Sequence, residues 1–372
     1  MPRKRGNEAR VLIMSASFGG AHAGVANALA RYLRAKHSQS VEVQVVDLFE
    51  ETMPSLNVLA RFAYQQDAGT FFPGGVGTLE TVERSAPGNP VLSELTSSGL
   101  QAVREIVETL TPAAVISTHA VAGAVSAEVC APKRIPTAVV LSEWSPREEW
   151  LHPDSDLVFV ACKEAREDLV VRGVAYDRVI VSGVPVMERT SRVDSMPVTR
   201  SRSKGGERFT IALSGIPLAA ADVAHVVRRL GAAGLSVIAY SGGDPRVQRS
   251  LESTVERYAS VRVVETASDM HSACASADAA MLGAGGHAVH ERLASGLPLI
   301  IYTPIPGQET RNVDFLVNSG AALVARDEDD AVEKARFLSS HPGRLVQMAG
   351  CARSLSLEGA AQTVCERVLA TI

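Results

Sequence analysis

Aromatic residues are scarce, only 5% of a 372-residue chain. Sugar-binding sandwiches and single-strand nucleic-acid platforms rely on stacked rings, so both are disfavoured. A basic excess is also missing: 37 Lys and Arg stand against 41 Asp and Glu, a net charge of −4. A protein that holds phosphate backbones would be positively charged, so nucleic acid is not an expected partner. Cysteines are few. Cys130, Cys162, Cys274, Cys351 and Cys365 lie far apart, with no CxxC pair. That spacing argues against a disulfide framework and for reduced thiols in a cytoplasmic protein. Long apolar runs are absent as well, and nothing approaches the roughly 18 residues of a membrane-spanning helix. Val11 to Ala16 is too short for a signal-peptide core and runs into a glycine turn, so it reads as a first strand. Contact with a membrane is expected to be peripheral.

What the chain has is apolar bulk (46%) with 21% charge. That composition fits folded cores, and the length fits two domains. Short β-branched runs alternate with helix-length segments. Strands are predicted at 11–16, 41–47, 113–118, 137–142, 157–161 and 179–183, then at 209–214, 236–241, 261–265, 279–283, 298–302 and 321–325. Over 24–36, Val25, Leu29, Tyr32 and Leu33 form one helical stripe. Such alternation predicts an α/β fold with parallel sheets covered by helices on both faces. A polar, aperiodic stretch at 188–208 reads as a linker between an N-terminal domain (1–187) and a C-terminal one (209–372). Ligands of open α/β sheets bind at the carboxyl ends of the strands, which predicts a cleft between the two halves. Residues 50–100 form a long helical and aromatic insertion with Phe62, Tyr64, Phe71, Phe72 and a Pro73-Gly74-Gly75 turn. It is read either as a packed excursion or as a lid or acceptor surface.

Three stretches carry candidate chemistry. Ser15 to Gly24 follows the first strand and opens the first helix. Phe18, Gly19, Gly20 and His22 stand there, and glycines at a helix N-terminus let a backbone approach anionic oxygens. The stretch is neither GxGxxG nor GxxxxGK, which counts against a simple dehydrogenase or an NTPase. The helix N-terminus favours a neutral imidazole at His22. Second, Ser142-Glu143-Trp144 ends the fourth strand, and Glu143 there suits a general base. Glu148, Glu149 and Asp154 are rivals nearby, and Trp150 and His152 follow. His119 ends the third strand and is an acceptor-side candidate, with a satisfied half-buried histidine as the plainer reading. Third, Leu282 to Pro298 joins a strand to a helix through Gly283, Gly285 and Gly286. This is a phosphate cradle. Glu291 can accept from a ribose diol, and Gly296 is a suitable end for the helix. The next strand ends in a turn, Thr303 to Asn312, rich in hydrogen-bonding side chains. His287, His290 and Glu291 do not have metal-site spacing, so no metal is expected.

These blocks resemble the monogalactosyldiacylglycerol synthase / processive diacylglycerol glucosyltransferase family, GT-B glycosyltransferases related to the N-acetylglucosaminyltransferase of peptidoglycan synthesis. The resemblance rests on Gly285-Gly286, Glu291, Gly296-Leu297-Pro298 and Pro306-Gly307-Gln308-Glu309…Asn312, on Gly19-Gly20-Ala21-His22, and on Trp150…His152. It implies two Rossmann-like domains, an acceptor-binding N-terminal one and a UDP-sugar-binding C-terminal one. It places Ser214, Gly215, Gly242, Gly243, Gly285, Gly286, His287, Glu291, Gln308, Glu309 and Asn312 at the nucleotide-sugar. It puts His22 at the reaction centre and requires no metal or other cofactor. Four departures stand out: Ser142-Glu143 where the family often has Thr-Asp, Ala288 where it usually has Thr, Leu282-Gly283 where it often has Lys, and Ser214-Gly215-Ile216-Pro217 in place of a Gly-Gly-Gly run. The expected activity is transfer of a hexose from a UDP-sugar to an acceptor hydroxyl, with a lipid such as diacylglycerol as acceptor. The alternatives are a soluble small-molecule acceptor, a UDP-sugar 2-epimerase, and a nucleotide-sugar-binding protein with weakened catalysis.

Overall fold

The computed structural model describes residues 9–15, 21–48, 50, 90–145, 151–186, 208–214, 220–304 and 309–372. The expected linker, the aromatic residues of the 50–100 insertion, and Phe18, Gly19, Gly20, Glu148, Glu149, Trp150, Gly215 and Gln308 lie outside them. The described residues separate into two units, each built on a six-stranded parallel sheet.

In the first unit the strands are β1 (Ala9–Ser15), β2 (Val41–Asp47), β3 (Ala114–Ser117), β4 (Thr137–Val140), β5 (Leu157–Val160) and β6 (Val179–Val181). Their order in the sheet is β2-β1-β3-β4-β5-β6. Helices α1 (Ala21–Lys36), α2 (Pro90–Leu110), α3 (Ala120–Cys130) and α4 (Lys163–Val171) belong to the same unit. The expected stripe of α1 is real: Val25, Leu29 and Leu33 are buried. The central strands β3 and β4 are buried at every residue, whereas the edge strand β2 is alternately open. That is the pattern of a parallel sheet covered on both faces in its middle.

In the second unit the strands are β7 (Thr210–Leu213), β8 (Ser236–Tyr240), β9 (Val261–Val264), β10 (Ala279–Leu282), β11 (Leu299–Tyr302) and β12 (Ala322–Ala325). Their order is β12-β11-β10-β7-β8-β9. The helices are α5 (Ala220–Ala232), α6 (Pro245–Val255), α7 (Ala267–Cys274), α8 (Gly286–Ala294), α9 (Thr310–Asn318), α10 (Glu328–Ser340) and α11 (Pro342–Leu355). Ile211, Leu213, Val237, Met281, Ile300 and Leu338 lie in its core.

The chain end differs from the expectation. The second domain was expected to run to 372, but Leu357–Ile372 groups with the first unit. The cause lies in α12 (Ala360–Leu369), whose Ala360, Ala361, Val364, Cys365 and Val368 are buried there. Glu366 on its outer side accepts from Tyr32 Oη at 3.0 Å and from His37 Nε2 at 2.9 Å, both from the α1 side of the unit. Gly183, at φ +75°, lets the segment pass. A Cβ there would stand 2.8 Å from that of Leu357.

Both strand orders reverse direction once in the middle of the sheet, between β1 and β3 and between β7 and β10. Open α/β sheets bind ligands at the carboxyl ends of the strands flanking such reversals.

Candidate active site

At the first reversal, Thr118 is tied to the end of β1, its N–H donating to Met14 O at 2.9 Å. Its hydroxyl lies 3.0 Å from His22 O and 3.3 Å from Ser15 Oγ. His22, in the first turn of α1, turns its Nδ1 onto the Thr118 carbonyl. A carbonyl only accepts, so Nδ1 carries a hydrogen, which leaves Nε2 as the nitrogen that can take up a proton. His119 stands edge-on to this ring, with centroids 4.7 Å apart and an interplanar angle of 81°. Burial, followed by the charge of His22, holds the His119 imidazole well below its ordinary pKa, so it is neutral at pH 7. A cavity of about 280 Å³ opens beside Ser15, between Asn27, Asp47 and Glu50.

Glu143 follows β4. It is half-buried and accepts from Ser142 Oγ at 3.1 Å. Its rival Asp154 is exposed, its N–H donating to His152 Nδ1 at 3.2 Å. Among the described residues, the hydrogen bonds of His22 run to Thr118 and those of Glu143 to Ser142.

At the second reversal the turn from Gly283 to Gly286 is clamped from the side. Ala284 N–H donates to Glu309 Oε2 at 3.1 Å, and Asn312 Nδ2 donates to Ala284 O at 3.2 Å. Glu309 and Asn312 are both buried. The expectation gave them to the donor; the geometry shows them shaping the turn. Gly285 is needed because a Cβ there would stand 3.1 Å from Glu309 Oε1. Gly285 stands at the N-cap of α8 and makes no side-chain cap. Such a start favours an anion. The helix ends as expected: Gly296 N–H bonds Leu293 O and Leu297 N–H bonds Arg292 O, a Schellman pair.

Glu291, in the second turn of α8, presents a carboxylate with Oε1 3.8 Å from His287 Nδ1 and Oε2 3.4 Å from an Arg292 terminal nitrogen. His287 and Arg292 are buried. Ser214, at the end of β7, is buried and accepts from the other Arg292 terminal nitrogen at 3.5 Å. Gly242 and Gly243 form a turn at positive φ with open space around both, and the turn feeds Asp244, which caps α6. Sequence reasoning missed three features. The Thr118 carbonyl is a backbone group. Arg292 was not singled out among the residues of its helix. Thr303, at φ +42° just after β11, is a β-branched residue in the left-handed region, a strain often found at functional turns. Among the described residues, no group of three or more His, Cys, Asp or Glu is placed to share a metal ion.

Residues 22–186 match the sequence model of the monogalactosyldiacylglycerol (MGDG) synthase family. A Bacillus cereus processive diacylglycerol beta-glucosyltransferase is 22% identical, over 97% of this chain and 93% of its own length. The solved structure of MurG from Acinetobacter baumannii is 16% identical, with a TM-score of 0.65 over 97% of this chain and 99% of that one. A UDP-GlcNAc 2-epimerase from Neisseria meningitidis, solved with UDP-GlcNAc, is 13% identical, with a TM-score of 0.61 over 97% and 100%. The fold is therefore of the GT-B kind expected. Fold alone does not separate transferase from epimerase; the family model and the curated relative that the chain resembles are both of transferases. No helix among the described residues is long and apolar enough to cross a membrane.

Proposed function

We propose that this chain is a glycosyltransferase that moves a hexose from a UDP-sugar to an acceptor hydroxyl, with a lipid of the diacylglycerol class as acceptor. The observation that carries the reading is the coincidence of likeness and geometry. The chain matches a diacylglycerol glucosyltransferase along almost its whole length, and its glycine turn is held open at an uncapped helix start. The second unit takes the donor. Amide hydrogens of the turn and of α8 meet the diphosphate, and Glu291 meets the ribose. The first unit takes the acceptor. His22 Nε2, the basic nitrogen left by the Thr118 contact, accepts the proton of the acceptor hydroxyl. The acceptor oxygen bonds to the anomeric carbon as its bond to the UDP oxygen breaks, through a transition state with oxocarbenium character. Glu143, held by Ser142, is the alternative base. Backbone dipoles stabilise the departing UDP without a metal, so EDTA should leave the rate unchanged. The enzyme works in the cytoplasm against a membrane surface.

The test is a calorimetric titration with UDP against ADP and GDP, followed by assay of UDP-hexoses with diacylglycerol in mixed micelles. Selective UDP binding and lipid glycosylation are expected. UDP binding without transfer to any acceptor would turn the reading to a binding protein. Conversion of a UDP-sugar in the absence of acceptor would turn it to an epimerase.

A further inference from the structure

Arg292 is a charged residue on the helix that carries the ribose-facing carboxylate, yet only 4% of it is exposed. Its Nε is shut off from solvent and has no hydrogen-bond partner. A guanidinium stays protonated at any working pH, and a buried one needs a counter-charge. That counter-charge is Glu291, at 3.4 Å. Neighbouring residues on a helix normally splay apart. Here one terminal nitrogen of Arg292 lies beside Glu291, and Ser214, at the end of β7, receives the other at 3.5 Å. Tyr240, at the end of β8, and Cys274, at the end of α7, both feel the charges of Glu291 and Arg292. The pair is thus set in the strand-end layer of the second unit.

Glu291 is bracketed. One oxygen faces His287 and the other faces Arg292. An ionised carboxylate has about four acceptor positions, so acceptor capacity remains for a ligand diol while rotation of the side chain is restricted. We propose that Arg292 is a positioning residue that holds the Glu291 carboxylate aimed for the ribose hydroxyls of the donor, with Ser214 anchoring the arginine. This rests on the reading of the second unit as the UDP-sugar half. Preorganising an acceptor in this way raises affinity by removing the ordering cost at binding.

The experiment compares UDP with 2′-deoxy-UDP by calorimetry on the full chain. The wild type should prefer UDP by roughly 10- to 100-fold, the worth of a hydrogen bond to a charged group. In R292Q the preference should fall to within about threefold, with 2′-deoxy-UDP affinity changed by less than about threefold. R292K keeps the charge but loses the fork, so it should lie between. If R292Q fails to fold, S214A takes its place and should lower the preference while the chain still melts cooperatively. A wild-type preference retained in R292Q, or equal weakening of both ligands, overturns the proposal. E291Q is the control: loss of preference there but not in R292Q sinks the arginine alone. A wild type that binds no UDP, or does not distinguish the two nucleotides, sinks the donor-site reading itself.

Discussion

The two sheet reversals solve different problems with different materials. In the second unit the working surface is backbone, the amides of Gly285, Gly286 and the α8 start, and buried side chains hold it from behind. In the first unit the proposed working group is a side chain, His22, and a backbone carbonyl holds it from behind. A site for an anionic, leaving diphosphate needs fixed dipoles and little titration. A site that moves a proton needs one nitrogen left basic and its neighbours neutral. The contrast assigns transition-state chemistry to the first unit and donor holding to the second, and each assignment can be broken separately.

The sharpest break is at His22. Replacing it by alanine should lower kcat by about 100- to 10,000-fold, the usual worth of a general base, with UDP affinity unchanged. Glu143→Gln should cost far less. The check is steady-state transfer to a diacylglycerol acceptor, paired with calorimetric titration of UDP. A histidine variant within about threefold of wild-type rate, alongside an inactive Glu143→Gln, would move the base to Glu143. It would also remove the division of labour drawn above.

Glu309 tests the other side. Its carboxylate holds the Ala284 N–H from a buried position. Glu309→Ala leaves that amide unpaired and should cost about 2–3 kcal/mol in stability, read by urea denaturation. It should also weaken UDP binding while the structure of the first unit is unaffected. Stability lost with UDP affinity intact would mean that the turn is a structural corner and not a cradle.

Much of this was legible in the sequence because parallel strands buried on both faces are written as short continuous apolar runs. Residues 114–117, 279–282 and 299–302 are of that kind. Gly296 was legible for a similar reason, since a left-handed helix end selects glycine locally. Three things were not. Which unit α12 docks on depends on an apolar face meeting a distant partner, and chain order carries no mark of that. The Thr118 carbonyl that fixes the His22 tautomer belongs to the backbone, where residue identity says nothing. Glu309 and Asn312 were found as polar residues beside a glycine turn, but whether such groups point at a ligand or at the turn is decided by tertiary packing.

The smallest effect tests whether His119, the neighbour of the proposed base, is neutral. Burial holds His119 well below the ordinary histidine pKa, and the charge of His22 adds to this. The unfolded chain protonates His119 near pH 6.5. Above that value neither state binds the proton and His119 contributes no pH dependence. As the pH falls below it, the unfolded chain takes up a proton that the folded chain refuses, so stability falls. The slope is at most about 1.4 kcal/mol per pH unit, less where solvent reaches the ring. His119→Asn removes that acceptor from both states. The variant's stability should therefore decline less steeply than the wild type's between pH 7 and pH 5 in parallel urea titrations. Equal slopes would mean that folded His119 protonates normally. An imidazolium would then stand edge-on to His22 under mildly acidic conditions, and its charge would disfavour proton uptake at Nε2.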